Sequence, residues 1–201
     1  MERVFNTAYC NPDDPPEDPE DATLYDNDAE LTFIAQNNYG YLEKQPEMLC
    51  ISVDGACSNN GYSNARASAG VFFGPQSRHN WSGVLDRNVH RQTNQCAEIF
   101  AMIRALRIFN QNRGEYYWNE IRTIVIVTDS DFAFQGITRH VNKWRRNGYV
   151  NCEGGAVSNG DKFQQLDLLV EDLEDEDIQV LFWRVDREFN QDADGLAGSE
   201  L

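Results

Sequence analysis

Four things are scarce or missing in this chain of 201 residues: paired cysteines, positive charge, long apolar runs and an N-terminal leader pattern. The five cysteines (Cys10, Cys50, Cys57, Cys96 and Cys152) are odd in number, scattered and without a C-x-x-C pair, which excludes a disulfide framework and a structural zinc site and leaves reduced thiols. Lysine and arginine total 17 against 33 acids, a net charge of −16 that argues against tight, nonspecific phosphate binding over the whole surface. No apolar run approaches membrane-spanning length, and Met1-Glu2-Arg3-Val4-Phe5-Asn6 lacks a basic region followed by an apolar stretch. A soluble, intracellular protein with no membrane partner is expected, acting as a monomer.

The acidity is local. Residues 1–47 hold twelve acids against Arg3 and Lys44, and residues 171–177 hold six more. Outside those stretches the chain is formally neutral, so a basic patch could still bind phosphate. Asn11 to Asp21, with four prolines and six acids, reads as a flexible acidic tail. Thr23 to Met48 is richer in apolar residues and is expected to dock without a fold of its own. The predicted organisation is therefore an acidic, Pro-rich tail over 1–47, partly disordered or docked, and one domain over 48–201.

Within 48–201 the patterns alternate. Met48 to Asp54, Ala67 to Phe73 and Trp81 to Leu85 are β-prone runs separated by turn signals, as in an antiparallel meander. Ala97 to Ile108 has helical spacing, with Thr93 at a plausible start. Ile121 to Thr128 is almost continuously β-branched, the pattern of a strand covered on both faces. A short helix over Ser130 to Thr138 follows, then a helix to about Leu173 that Asn159 can cap, a strand over Ile178 to Val185 and a final helix from Gln191. The fold class is α/β: a mixed sheet with helices on both faces, whose ligands collect at the carboxyl ends of strands.

Carboxylates stand where charge is costly. Asp54 and Asp129 close apolar strands, while Glu98 and Asp194 sit in the first turns of helices. If the four converge at one edge of the sheet, their mutual repulsion demands compensating divalent cations, and hard oxygen donors select Mg²⁺, with Mn²⁺ as substitute. Two such ions about 4 Å apart suit phosphodiester hydrolysis. Lys143-Trp144-Arg145-Arg146-Asn147-Gly148-Tyr149 is the one dense basic and aromatic segment, the natural place for phosphate.

These segments resemble the ribonuclease H family, type 1. The resemblance rests on Val53-Asp54-Gly55-Ala56-Cys57-x-x-Asn60-Gly61, Thr93-Asn94-x-x-Ala97-Glu98, Thr128-Asp129-Ser130, Trp144-x-x-Asn147-Gly148-Tyr149, Val157-x-Asn159-x-Asp161 and Asn190-x-x-Ala193-Asp194-x-Leu196-Ala197, in family order over roughly residues 48–200. It implies a five-stranded mixed sheet, three strands antiparallel and two parallel. It also implies that Asp54, Glu98, Asp129 and Asp194 are both metal ligands and catalytic residues, with an RNA:DNA hybrid as substrate. Asn60, Asn94 and Gln95 fall where the family contacts the RNA strand and its 2′-hydroxyls. Phe132, His140 and Trp144 fall where the family lines a channel for the DNA strand, beside Lys143, Arg145 and Arg146.

Two features depart from the family pattern. The loop Val185-Asp186-Arg187-Glu188-Phe189-Asn190 lacks the Gly-His-x-Gly histidine and resembles the shorter-loop branch, and Asp131 adds an acid after Asp129. They keep a second reading open: a weakly active or noncatalytic nucleic-acid-binding module on the same fold.

Overall fold

The computed structural model describes residues 3–201. One mixed sheet of seven strands organises it. Strands β1 (Thr23–Asp26), β2 (Leu31–Asn38), β3 (Tyr41–Ser58), β4 (Arg66–Phe72) and β5 (Trp81–Val84) pair antiparallel in sequence. Strand β6 (Thr123–Thr128) then adds parallel to β3, and β7 (Gln179–Arg184) adds parallel to β6. The helices are α1 (Asn94–Asn112), α2 (Asp131–Gln135), α3 (Val141–Asn147), α4 (Gly160–Glu174) and α5 (Gln191–Gly198). A π-helical turn, Gly136–His140, joins α2 to α3.

The period-2 alternation of the strands sorts side chains to two cores. From β3 and β6, Leu49, Ile51, Val53, Ile124 and Ile126 face the larger core under α1 and α4. Their neighbours Cys50, Val125 and Val127 face the opposite side with Trp183 and Val185. Strand β6 is thus buried on both faces, as its β-branched run predicts.

The sequence expectation of five strands and a tail is corrected here. Residues 23–47 supply β1, β2 and the first half of the 18-residue β3, where a docked stretch without its own fold was expected. Leu31, Phe33, Ile34 and Ala35 are buried, and Tyr39 and Gly40, both with positive φ, make the tight turn between β2 and β3. The charge of the region hid this hairpin. The acidic stretch before it also has a defined path: Arg3 and Phe5 hydrogen-bond Phe182 of β7, and Cys10 O accepts from Asn37 N at 2.7 Å. A 3-10 turn over Pro19–Ala22, capped by Asp18, follows. Phe5, Cys10 and Ala22 close the second core. Arg3 Nη1 lies 2.7 Å from buried Asp167 of α4.

Helix α5 covers the rest of that second face. A Cβ on Gly70 would meet Ala193 O at 2.5 Å and Ala197 N at 2.6 Å, so a bare glycine in β4 lets the helix lie directly on the sheet. Ser68, two residues before it, donates to Ala197 O at 2.6 Å. Asn159 precedes α4 in a left-handed conformation and makes no capping hydrogen bond, contrary to its expected role. No helix of the described residues is long and apolar enough to cross a membrane.

Candidate active site

Asp54 lies inside β3 rather than at its end, because Gly55 continues the strand while making room for α1. A Cβ there would stand 2.2 Å from Glu98 N. That close approach sets Glu98 against the strand, and Gly55 N donates to Glu98 Oε2 at 3.2 Å. Thr93 starts α1 by accepting from Cys96 N. Asn94 Nδ2 donates to the other Glu98 oxygen at 3.0 Å. Asp129 follows directly on β6, held by its neighbour Ser130, which caps α2. Parallel pairing of β6 with β3 brings Asp129 beside Asp54.

Carboxylate oxygens of Asp54, Glu98 and Asp129 lie within 4.8 Å of one another, with Asp54 and Glu98 buried. Burial, and then the charge of Asp129, pushes Asp54 up to about 7. Burial also holds Glu98 well above the usual carboxylate range, with Asp54 and Asp129 adding to the effect. Such a trio of oxygen donors fits a divalent cation, which would replace the missing compensating charge. Asp194 stands on the rim of the same cavity, about 280 Å³ in volume, outside the trio. Its Oδ1 accepts from Arg187 Nη2 at 2.7 Å. All four sequence-predicted carboxylates therefore line one cavity, three tightly gathered and one held by an arginine.

The RNase H family model matches residues 46–201. The chain belongs to the RNase H family. Among curated relatives it is 34% identical to ribonuclease H1 of Rattus norvegicus over 92% of this chain and 60% of that protein. It is 35% identical to ribonuclease H1 of Mus musculus over 82% and 53%. The chain thus spans about half to three-fifths of the curated relatives' length. Among solved structures, the complex of LC11-RNase H1 with an RNA/DNA hybrid shares the fold at a TM-score of 0.51 and 19% identity, over 75% of this chain and 94% of that one.

Of the other residues that the RNase H resemblance singles out, one lines the cavity and the rest stand outside its wall. Asn94 lines it; Asn60, in the turn after β3, and Gln95, on α1, are exposed. Phe132 and Trp144 are half-buried against Phe163, with ring centroids 5.5 and 5.0 Å away. His140 is exposed and lies 5.4 Å from Trp144. Lys143 and Arg146 point to solvent and form no ion pair among the described residues.

Arg145 differs from its predicted phosphate role. Its Nε and Nη2 grip buried Asp167 at 3.0 and 2.7 Å, and Nη1 reaches Glu171 at 2.6 Å. A carboxylate as buried as Asp167 requires a cation, and Arg145 supplies one together with Arg3. Asp131 is exposed and accepts from Gln135 Nε2.

Sequence reasoning missed Asn190 and Arg187 as site residues. Buried Asn190 donates from Nδ2 to Val53 O at 3.0 Å and to Asp129 Oδ1 at 3.2 Å. Its place at the head of the Asn-x-x-Ala-Asp segment was visible, but its aim was not. Arg91 was also missed; it lines a cavity of about 510 Å³ with Tyr149 and Asn159, close to the basic segment.

Proposed function

We propose that this RNase H-family chain is a metal-dependent endonuclease that hydrolyses the RNA strand of RNA:DNA hybrids. Asp54, Glu98, Asp129 and Asp194 would hold two divalent cations, Mg²⁺ or Mn²⁺. The observation that carries this reading is the gathered trio of carboxylates, two of them buried, in a chain of this family. When bound, divalent cations supply the charge that activates a water and stabilises the leaving oxygen.

The chain's own groups orient the donors. Asn94 and the Gly55 amide fix both oxygens of Glu98. Asn190 fixes Asp129 and ties it to the backbone of β3. Outer partners of this kind commonly matter about 10–100-fold for metal affinity or activity. Asn60, Asn94 and Gln95 are assigned to the RNA strand, where amides can pair with 2′-hydroxyls. Phe132, His140 and Trp144 form an aromatic ledge suited to the DNA strand, with Lys143, Arg146 and Arg91 for its phosphates.

A labelled RNA:DNA hybrid, duplex RNA and DNA bearing one ribonucleotide, each incubated with Mg²⁺ or Mn²⁺, provide the test. The hybrid should be cut in its RNA strand, and Asp129→Asn should lower the rate by at least about a thousandfold, the scale of removing a group essential to the reaction. Equal rates for Asp129→Asn and the natural chain would defeat the proposal. The Arg187–Asp194 contact favours a second reading, a noncatalytic hybrid-binding module, since a cation already meets the fourth carboxylate. Hybrid binding without cleavage at any metal concentration supports that alternative.

A further inference from the structure

The fold builds a second basic surface from arginines that lie apart in the sequence. Between Ser58 and Gln111 the chain carries six arginines against two acids, Asp86 and Glu98, within a molecule of net charge −16. Three of the six, Arg66, Arg87 and Arg91, are exposed and form no ion pair among the described residues. The start of β4 and the loop between β5 and α1 carry them, and hydrogen bonds stitch these two places together. Arg87 Nη2 donates to Ala65 O, Ala67 N to Gln92 Oε1 and Leu85 N to Ala67 O, each at 2.8 Å. Arg66 opens β4 opposite Ser58, which lines the carboxylate cavity with Cys57. The basic surface therefore adjoins that cavity.

Tyr62 stands on the same surface, joined to Arg87 through Ala65. Asn59 and Gly61, both with positive φ, bend the chain after β3. Tyr62 N donates to Asn59 O and Ala65 N to Tyr62 O, each at 3.0 Å. This turn holds the tyrosine 75% exposed, away from both cores. Asp86 is the one acid in these loops, and it accepts from Asn88 N and Nδ2 at 2.9 and 3.1 Å instead of from an arginine. In a chain with 33 acids, arginines left without any of them complement a polyanion from outside. Guanidinium forks beside an exposed aromatic ring suit phosphates and the sugars or bases attached to them. A nucleic-acid strand fits better than an acidic protein, because the surface continues into Asn60 and the carboxylate cavity.

We propose that Tyr62, Arg66 and Arg87 clamp the backbone of the RNA strand beyond the phosphate that meets the carboxylates. The two guanidinium groups take phosphates, and the Tyr62 ring packs on a sugar or base. Arg91, at the end of the same loop, keeps its place on the opposite strand. The hybrid is then held by two cationic surfaces, α3 and this pair of loops, which offsets its repulsion by an acidic chain. The choice of strand rests on the function proposed above; the phosphate contact itself does not.

Binding isotherms of a labelled RNA:DNA hybrid at several salt concentrations test the clamp, in chains carrying Asp129→Asn with Mg²⁺ present so that the hybrid stays whole. Arg66→Gln with Arg87→Gln, which keeps a donor for Ala65 O, should weaken binding about tenfold and lower the salt slope by about 1.5–2. Arg78→Gln with Arg113→Gln removes the same charge from arginines that face Glu30 and Glu176 and should leave the slope unchanged. Circular dichroism establishes that each variant is folded. An unchanged slope in the first pair overturns the clamp, as do equal losses from both pairs, which mark diffuse attraction. If the hybrid binds none of these chains, the function proposed above falls with it. On irradiation, an RNA strand bearing 4-thiouridine should cross-link to Tyr62. Absence of that cross-link, or its formation from a 4-thiothymidine DNA strand instead, refutes the choice of strand. Displacement of the hybrid by polyglutamate of matched charge, lost in the Arg66 and Arg87 variant, overturns the clamp in favour of an acidic protein partner.

Discussion

Asp54 shows what burial does to a single residue of this site. Its carboxyl carries a pKa of about 7 against an ordinary value of 3.8, so the folded metal-free protein favours the protonated form. A raised folded-state pKa contributes stability that is complete below the ordinary carboxylate pKa and is lost as pH rises through about 7. Glu98 is displaced in the same direction. In a chelator, the thermal midpoint should fall between about pH 4 and pH 8, and Asp54→Asn should flatten part of that fall. Added Mg²⁺ should raise the natural chain's midpoint more at pH 8 than at pH 5, because only ionised donors bind it well. Thermal scans of both chains across this range check the sign; superimposable pH profiles would exclude a strained Asp54.

At the scale of elements, the basic segment on α3 divides its labour. Arg145, though exposed itself, is tied to buried Asp167 of α4, whereas Lys143 and Arg146 face solvent without an ion pair among the described residues. Arg145→Met should therefore destabilise the fold by about 1–3 kcal/mol, with Arg3 limiting the loss by remaining on Asp167. Lys143→Ala with Arg146→Ala should shift stability by no more than about 0.5 kcal/mol. The same pair should weaken hybrid binding and lower the salt slope by roughly two. Urea melts and binding isotherms at several salt concentrations separate the two roles. The sequence gathered these residues into one basic segment but could not say which cation would meet a buried carboxylate, because that partner lies 22 residues away.

Over the whole molecule, residues 3–22 close a core. Phe5 packs on Trp183 with ring centroids 5.5 Å apart, and Cys10 and Ala22 cover the face that Val125 and Val127 present. Helix α5, eight residues long, covers only part of that face, over β3, β4 and β5. A chain starting at Thr23 should lose several kcal/mol, given about 1.5–3 kcal/mol for each large apolar side chain re-exposed, and should bind a hydrophobic dye. An unchanged urea midpoint would show that the segment merely decorates the sheet.

The sequence by itself determined the order of strands and helices from Met48 onward and the double-sided burial of β6, and it singled out the four carboxylates that the fold brings to one cavity. Those signals are local: periodicity, β-branching and acids set at the ends of apolar runs. It did not reveal that Leu31 to Ala35 joins the sheet, since the surrounding charge argued for a tail until β3 offered a partner strand. Only the tertiary structure decided that Gly55 admits α1 against Asp54, that Asn190 reaches Asp129 and that Asp194 meets Arg187. The first two bring together groups 43 and 61 residues apart in the chain, and no pattern of neighbours along a sequence encodes which buried polar atoms will meet; the third joins side chains only seven residues apart, but across a turn whose course the packing of α5 sets.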